Sequence, residues 1–390
     1  MFRERIRSQG VPIGDWIRGK PRIVKGGRDV VINESDNAHS RERTRRQPHG
    51  REAAPNASGI SLRRLDTREI DWAQLDALDD RNVFQTREWL DFIHSTQGAE
   101  PIVAEVRELD QRVGFFTGLV MSRFGIRILG SPFQGWATGY LGFNLPRRIS
   151  RRAAVAALVD FAFGPLGCMH LELRDRPLTA ADVEGLGFIV QRRRTFELDL
   201  RLSEDEIWAG FKSTCRTAIR KAEKSGVTVE EAHDLAFADE YHAQLRDVFA
   251  KRSLPPPYGV EFVRELIRRV EPTGRLLLLR ARNGAGECIA TGIYPGHGAM
   301  AYFWGGASWR QDQTLRPNDL LMWSAIRHWR ARGVAVFDFG GAGDYKRKFG
   351  PVEVIVPLFR RSRFAVVEQL RGAAKHAIGL RRRLVGRHLR

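Results

Sequence analysis

At 390 residues the chain is long enough for two to three domains of about 100–200 residues each. No apolar run approaches the ~20 residues that span a bilayer, and the charged start MFRERIRSQG lacks the apolar stretch of a secretory signal, so a cytoplasmic protein is expected. Cys168, Cys215 and Cys288 are far apart and form no CxxC pair, which argues against a zinc site or a disulfide framework. Arg216 and Arg220 beside Cys215 mark it as the thiol whose pKa they could lower.

The net charge of +18 is unevenly spread. Residues 1–50 carry +6 and residues 360–390 carry +9, which leaves +3 for everything between. Basic tails of this kind suit an anionic partner, a phospholipid surface or RNA, or they are simply solvated.

Residues 1–57 mix Arg, Gly, Asn, Ser and Pro with little periodicity and are expected to be a disordered basic tail. A first unit then runs over 58–195. Phe84, Trp89, Leu90, Phe92 and Ile93 recur at helical spacing within 82–97. Strands follow at 101–108 and 112–124, with the polar Leu109-Asp110-Gln111 as the hairpin turn. Segment 126–143 begins as a strand and becomes rich in Gly and aromatics. A helix is predicted at 150–164, a strand at 168–175, a short helix at 179–187 and one strand at 188–200.

A second unit covers 196–365. One helix is predicted over 203–227, opened by Ser203 and Glu206 in the spacing of a capping box and closed by Gly226. A strand near 227–233, helices at 236–253 and 259–270, and three strands between 275 and 308 come next. A helix at 317–333, a strand at 334–341 and a last strand at 354–362 complete it. Both units read as helices, antiparallel hairpin, helix, strand. The fold class is therefore α/β (α+β): tandem duplicated domains with mixed, mostly antiparallel sheets flanked by helices. Residues 366–390 place Val366, Leu370, Ala374 and Ile378 on one face among many Arg, a basic amphipathic helix that fits a membrane surface or docks on its own protein.

The richest stretch is FDFGGAGDYKRKFG, 337–350. Asp338 sits near a strand end, glycines follow, and Tyr345-Lys346-Arg347-Lys348 place cations where α/β proteins commonly hold ligands. A positioned Lys could stabilise an oxyanion. Asp338 is a general-base candidate or a loop holder. Arg216 and Arg220, four apart, project from one helix face; they could grip a diphosphate or be surface arginines. Trp136 and Tyr140 in SPFQGWATGYLGF, with Trp304 and Ser308, are candidates for a substrate wall.

The order of a strand with DFGG, a short loop, then aromatic-Lys-x-x-Phe-Gly resembles the FemAB-like transferases, relatives of the GNAT acyltransferase fold. NVFQTREWLDF, STCRTAIRKAEKSGV, AYFWGGAS and RPNDLLMWSAIRHW resemble further family segments in the same order, so the likeness covers about 80–365. It is similar also to BioF2-like acetyltransferase domains. The resemblance implies tandem GNAT-like domains and acyl transfer from an activated donor to an amine of a cell-envelope or polysaccharide precursor. Lys346 would stabilise the tetrahedral intermediate, with Tyr345 where the family usually has Phe. No bound cofactor is expected; acyl-CoA or aminoacyl-tRNA would be the donor co-substrate. The Arg/Gln-x-x-Gly-x-Gly/Ala loop of CoA users and the coiled-coil arm of some tRNA users are both missing. A location on the inner face of the membrane would suit such an acceptor. The competing expectation is an RNA- or anionic-membrane-binding protein with basic tails and a degenerate core.

Overall fold

The computed structural model describes residues 59–369, apart from 124, 251–253 and 342. The N-terminal tail and all but the first residues of the C-terminal amphipathic helix lie outside the described residues.

The first half contains β1 (Ile60–Arg64), α1 (Trp72–Asp76), α2 (Arg87–Gln97), β2 (Glu100–Glu108), β3 (Gln111–Arg123), β4 (Ile126–Ser131), β5 (Gly142–Asn144), α3 (Arg151–Phe163), β6 (His170–Leu173) and β7 (Ile189–Gln191). The second contains β8 (Arg194–Asp199), α4 (Glu204–Gly210), α5 (Ser213–Lys224), β9 (Thr228–Glu231), α6 (Ala236–Ala250), α7 (Val260–Val270), β10 (Leu276–Arg282), β11 (Cys288–His297), β12 (Met300–Tyr302), β13 (Gly305–Ser308), α8 (Pro317–Ala331), β14 (Val336–Asp338), β15 (Val352–Ile355) and β16 (Leu358–Ser362).

These strands build two eight-stranded sheets. The first has the order β1-β2-β3-β4-β6-β16-β7, with β5 beside β3; the second has β15-β8-β14-β12-β11-β10-β9, with β13 beside β11. All pairings are antiparallel except β4–β6 and β12–β14. This is the mixed, helix-flanked α/β architecture expected from the sequence.

Several elements differ from the sequence reading, each for a physical reason. The strand predicted over 188–200 is two strands in different sheets. The chain changes sheet at Arg192-Arg193, where Val356 N donates to Arg193 O at 2.8 Å. The last predicted strand also splits, around Pro357: β15 stays in the second sheet and β16 returns to the first, between β6 and β7. So the expected second unit, 196–365, gives its final strand to the other half. Proline lacks the N–H a continuous ladder would need. The helix predicted at 179–187 shortens to a 3-10 turn, Ala181–Val183.

The long helix predicted over 203–227 breaks at Phe211-Lys212. Ser203 does start it as a capping box, with its Oγ accepting from Glu206 N at 3.2 Å and the Glu206 carboxylate accepting from Ser203 N at 2.8 Å. It then stops because Phe211 turns to extended geometry and packs between Trp323 and Phe349, at 5.2 and 5.5 Å.

Three large apolar cores hold the layers, with a smaller one of Leu65, Leu75, Val103 and Phe115 beside the first sheet. Val155, Leu158 and Phe161 of α3 pack on Leu129, Leu171 and Phe359 of the first sheet. Ile219 of α5 and Leu321, Ile326 and Trp329 of α8 pack on Phe337, Phe339 and Phe349. A third core crosses the halves, joining Trp89 and Phe92 of α2 and Leu119 of β3 to Phe237, Val263, Ile267 and Tyr302. Each such buried side chain contributes about 1.5–3 kcal/mol, so the two halves are held as one body around this shared core.

Candidate active site

The site begins where the second sheet opens. β12 and β14 run parallel and pair from Met300↔Val336 to Tyr302↔Asp338, and Phe303 N donates to Asp338 O at 2.8 Å. Beyond that point the strands part. β13 continues along β11, after a one-residue register change at Phe303-Trp304, while the chain past Asp338 turns away. α8 closes the far side: Asn318 Nδ2, in its first turn, donates to Ser308 Oγ at 2.8 Å. The carboxyl ends of adjacent parallel strands are the usual ligand location in such sheets.

The turn that crosses this opening is Phe339–Gly350. Gly340 and Gly341 take φ of +63° and +55°, a region that side chains with Cβ avoid. Gly350, at φ +68°, also needs its missing Cβ, which would lie 2.5 Å from Gly210 O. Between them Asp344–Phe349 forms a 3-10 helix anchored by Phe349 in the core.

The three cations of that helix have different fates. Arg347 pairs with Glu353 and Asp344, and Lys348 pairs with the buried Asp319 of α8. Lys346 points inward, 8% exposed. Its Nζ donates to Phe339 O at 2.7 Å and to Gly340 O, and it sits 5.6 Å from the centre of the Phe303 ring. Among the described residues it has no carboxylate in ion-pairing distance. Burial lowers its pKa to about 8, with the nearby Asp338 carboxylate opposing the shift. An ammonium has three N–H groups, so one remains beyond the two carbonyl bonds.

Asp338 is buried and fully engaged. Its Oδ2 accepts from Tyr140 OH at 2.6 Å; its Oδ1 accepts from Gly340 N at 2.7 Å and from Thr195 Oγ1. Tyr140 belongs to the first half, so this carboxylate ties the halves together and fixes the start of the glycine turn. Burial, then the Asp338 charge, holds the Tyr140 phenol well above its ordinary pKa, so it remains a donor.

The structure brings most of the sequence-predicted residues to this place. The 131–141 connection from the first half reaches over: Trp304 Nε1 donates to Ala137 O at 2.8 Å, and Trp89 Nε1 donates to Thr138 Oγ1 at 3.0 Å. Trp136 is half-buried against Phe133, ring centres 4.7 Å apart. Trp304 stacks on Phe262 and leans on Tyr258. Tyr345 is exposed on the rim and Ser308 is buried at the strand end.

The helix arginines have another place. Arg216 turns back to bond the open end of α4, donating to Ala209 O at 3.0 Å, to Trp208 O and to Phe211 O. Arg220 lies over the Trp208 ring at 5.5 Å. The forked grip expected of the pair is therefore not assembled. Cys215 is buried, and burial pushes its thiol up to about 12, opposite to the shift expected from its arginine neighbours. Among the described residues there is no cluster of His, Cys, Asp and Glu that could hold a metal ion, and no helix long and apolar enough to cross a membrane.

Sequence reasoning missed Thr195, Phe303, Asn318 and Asp319. Phe303, Asn318 and Asp319 did lie inside segments flagged for their motif likeness, but nothing local marked their roles.

Two sheets side by side, each with one parallel strand pair and a crossing helix, make a tandem GNAT-like fold. Residues 209–347 match the acetyltransferase (GNAT) domain family. The crystal structure of FemX superimposes with a TM-score of 0.65 at 13% identity, over 79% of this chain and 99% of that one. Looser likenesses are a tandem GNAT protein from the clavulanic acid biosynthesis pathway (TM-score 0.47, 14% identity, 78% of this chain and 98% of that one) and the C-terminal domain of a putative lysylphosphatidylglycerol synthetase from Agrobacterium fabrum (0.45, 14%, 67% and 85%). No curated protein matches the sequence. Residues 209–347 are thus similar to GNAT acetyltransferase domains, and the chain as a whole shares the fold of FemX.

Proposed function

We propose that this enzyme moves an acyl or aminoacyl group from an acyl-CoA or an aminoacyl-tRNA to an amine of a cell-envelope or polysaccharide precursor. The observation that carries the reading is Lys346, a buried ammonium with no carboxylate partner among the described residues, set in the opening between β13 and β14. The acceptor class follows from the FemAB-like motif order.

In the reaction the acceptor nitrogen bonds to the donor carbonyl carbon, and the carbonyl oxygen takes up negative charge. Lys346 donates a hydrogen bond to that oxygen. The carbonyl re-forms as the thiolate of CoA or the ribose hydroxyl of tRNA leaves, taking the proton that the amine gives up. Asp338 acts by position: it holds Gly340 and Tyr140, and through them the turn that carries Lys346. Trp136, Trp304 and Tyr345 line the approach. Association with the inner face of the membrane through the basic tails would bring the enzyme to a lipid-linked acceptor.

The test is single-turnover transfer followed by mass spectrometry, using whichever donor raises the unfolding midpoint. Lys346→Ala should lower the rate by about 10²–10³, as loss of one oxyanion donor does. Unchanged turnover would remove Lys346 from the chemistry.

A further inference from the structure

We propose that Arg174, Arg193 and Arg360 form a binding site for a phosphate or diphosphate ester at the junction of the two halves. The site is built by the return of β16 to the first sheet. On that strand Phe359 points into the α3 core, so Arg360 points to the opposite face. It lies across from Glu172 on β6 and from Ile189 on β7. Arg174 follows β6 directly, with its N donating to Ser131 O at 2.8 Å. Arg193 sits in the link where the chain changes sheet, its carbonyl bonded by Val356 N. Three segments far apart in sequence thus bring three half-buried guanidiniums to one side of the junction.

None of the three has an acid in ion-pairing distance among the described residues. The most deeply buried arginines elsewhere do have one: Arg81 faces Asp76, and Arg280 holds Asp234 and Glu240. Glu172, the nearest carboxylate by register, instead accepts from Gln134 N at 2.7 Å and faces His170 at 3.6 Å. The Nε atoms of Arg174 and Arg360 are buried and make no hydrogen bond. Arg174 is held in place by the Tyr140 ring, 4.7 Å from its guanidinium, and by Gly139 O. Burial lowers the proton affinity of Arg193, and the charges of Arg174 and Arg360 lower it further, so the three stand within electrostatic reach of one another.

Like charges gathered in a partly desolvated place raise the energy of the empty state. An anion with several oxygens reverses that, because each guanidinium offers a planar fork that matches phosphate. The site is independent of the acyl-transfer reading. It also lies one residue from the reaction centre: the Tyr140 ring that supports Arg174 carries the hydroxyl bonded to Asp338.

The test is calorimetric titration of the full chain with inorganic pyrophosphate at fixed ionic strength, in the absence of any acyl donor. Arg193→Gln and Arg360→Gln should each weaken binding about tenfold, while Arg192→Gln, an exposed neighbour of equal charge, should leave it unchanged. Circular dichroism checks folding; should Arg360→Gln not fold, Arg193→Gln in the link decides alone. Wild-type affinity in the variants, or equal loss in Arg192→Gln, overturns the site. Two further arms separate the sources. Loss of UDP binding assigns a soluble diphosphate, and loss of binding to phosphatidylglycerol vesicles in phosphatidylcholine assigns a lipid headgroup. Loss in neither arm marks an adventitious ion only and overturns the proposal.

Discussion

The two sheets contain the same device in two conditions. In each, a helix follows one strand and leads to a parallel partner: α3 before β6, and α8 before β14. In the first sheet the parallel pair stays zipped from Ile128↔His170 to Ser131↔Leu173, and Arg174 N extends it by bonding Ser131 O. The Phe133 ring covers the end so closely that a Cβ on Gly130 would lie 2.3 Å from it. In the second sheet the ladder ends at Tyr302↔Asp338 with one further bond, Phe303 N to Asp338 O, after which β13 follows β11 and the chain past Asp338 enters the glycine turn. The segment that seals the first unit, 131–141, then runs on to form a wall of the second through Ala137 and Tyr140. On the function proposed above, duplication yields one unit that supports and one that reacts. The difference lies in what fills the gap, not in the architecture around it.

The comparison is sharpened most by pH. Lys346 titrates at about 8 because it is buried in the open unit. The role proposed for it needs the ammonium, so turnover should fall about tenfold per pH unit above about 8. Lys346→Arg keeps the charge at every accessible pH. Whatever activity that variant retains should lose the alkaline fall, whereas an unchanged alkaline limb would assign it to another group. Stability should move the opposite way. The unfolded lysine binds its proton up to about 10.4, above the folded value, so the unfolded state holds more protons in that window. Stability therefore rises as pH climbs from about 8 toward 10, provided other groups are subtracted with Lys346→Met as the reference.

A smaller effect tests the tie between the closed and the open unit. Tyr140→Phe removes one donor from a buried carboxylate without changing the ring that supports Arg174. The expected loss is about 1–3 kcal/mol in urea unfolding, with turnover falling because Asp338 no longer holds the glycine turn as firmly. A variant as stable as the wild type would show that Thr195 and Gly340 suffice for Asp338.

Local signals carried much of this. Apolar periodicity placed α2, helices were also expected where α3, α7 and α8 lie, and the aromatic-Lys-x-x-Phe-Gly order singled out Lys346 from its two cationic neighbours. Of the two changes of sheet only the second had a local signal, Pro357. Residues 188–200 and 354–362 each read as one β run, and which sheet a strand joins is decided by long-range pairing. The same holds for the site's supports. Tyr140 and Asp338 are 198 residues apart, and Arg174, Arg193 and Arg360 share no spacing that a helix or strand would reveal.

The reverse also occurs, at Arg216 and Arg220, where spacing is suggestive but the structure gives the side chains local work. Arg216 bonds three carbonyls at the end of α4, of which Trp208 O also accepts from Phe211 N at 3.2 Å. Arg216→Ala should therefore cost about 1 kcal/mol in unfolding, the smallest effect of the series, because water replaces the guanidinium at this half-buried end. Turnover and pyrophosphate affinity should both stay within about twofold. A tenfold loss of pyrophosphate affinity in Arg216→Ala, with Arg193→Gln unaffected, would return the anion grip to α5 and give the arginines on the first sheet a purely structural role.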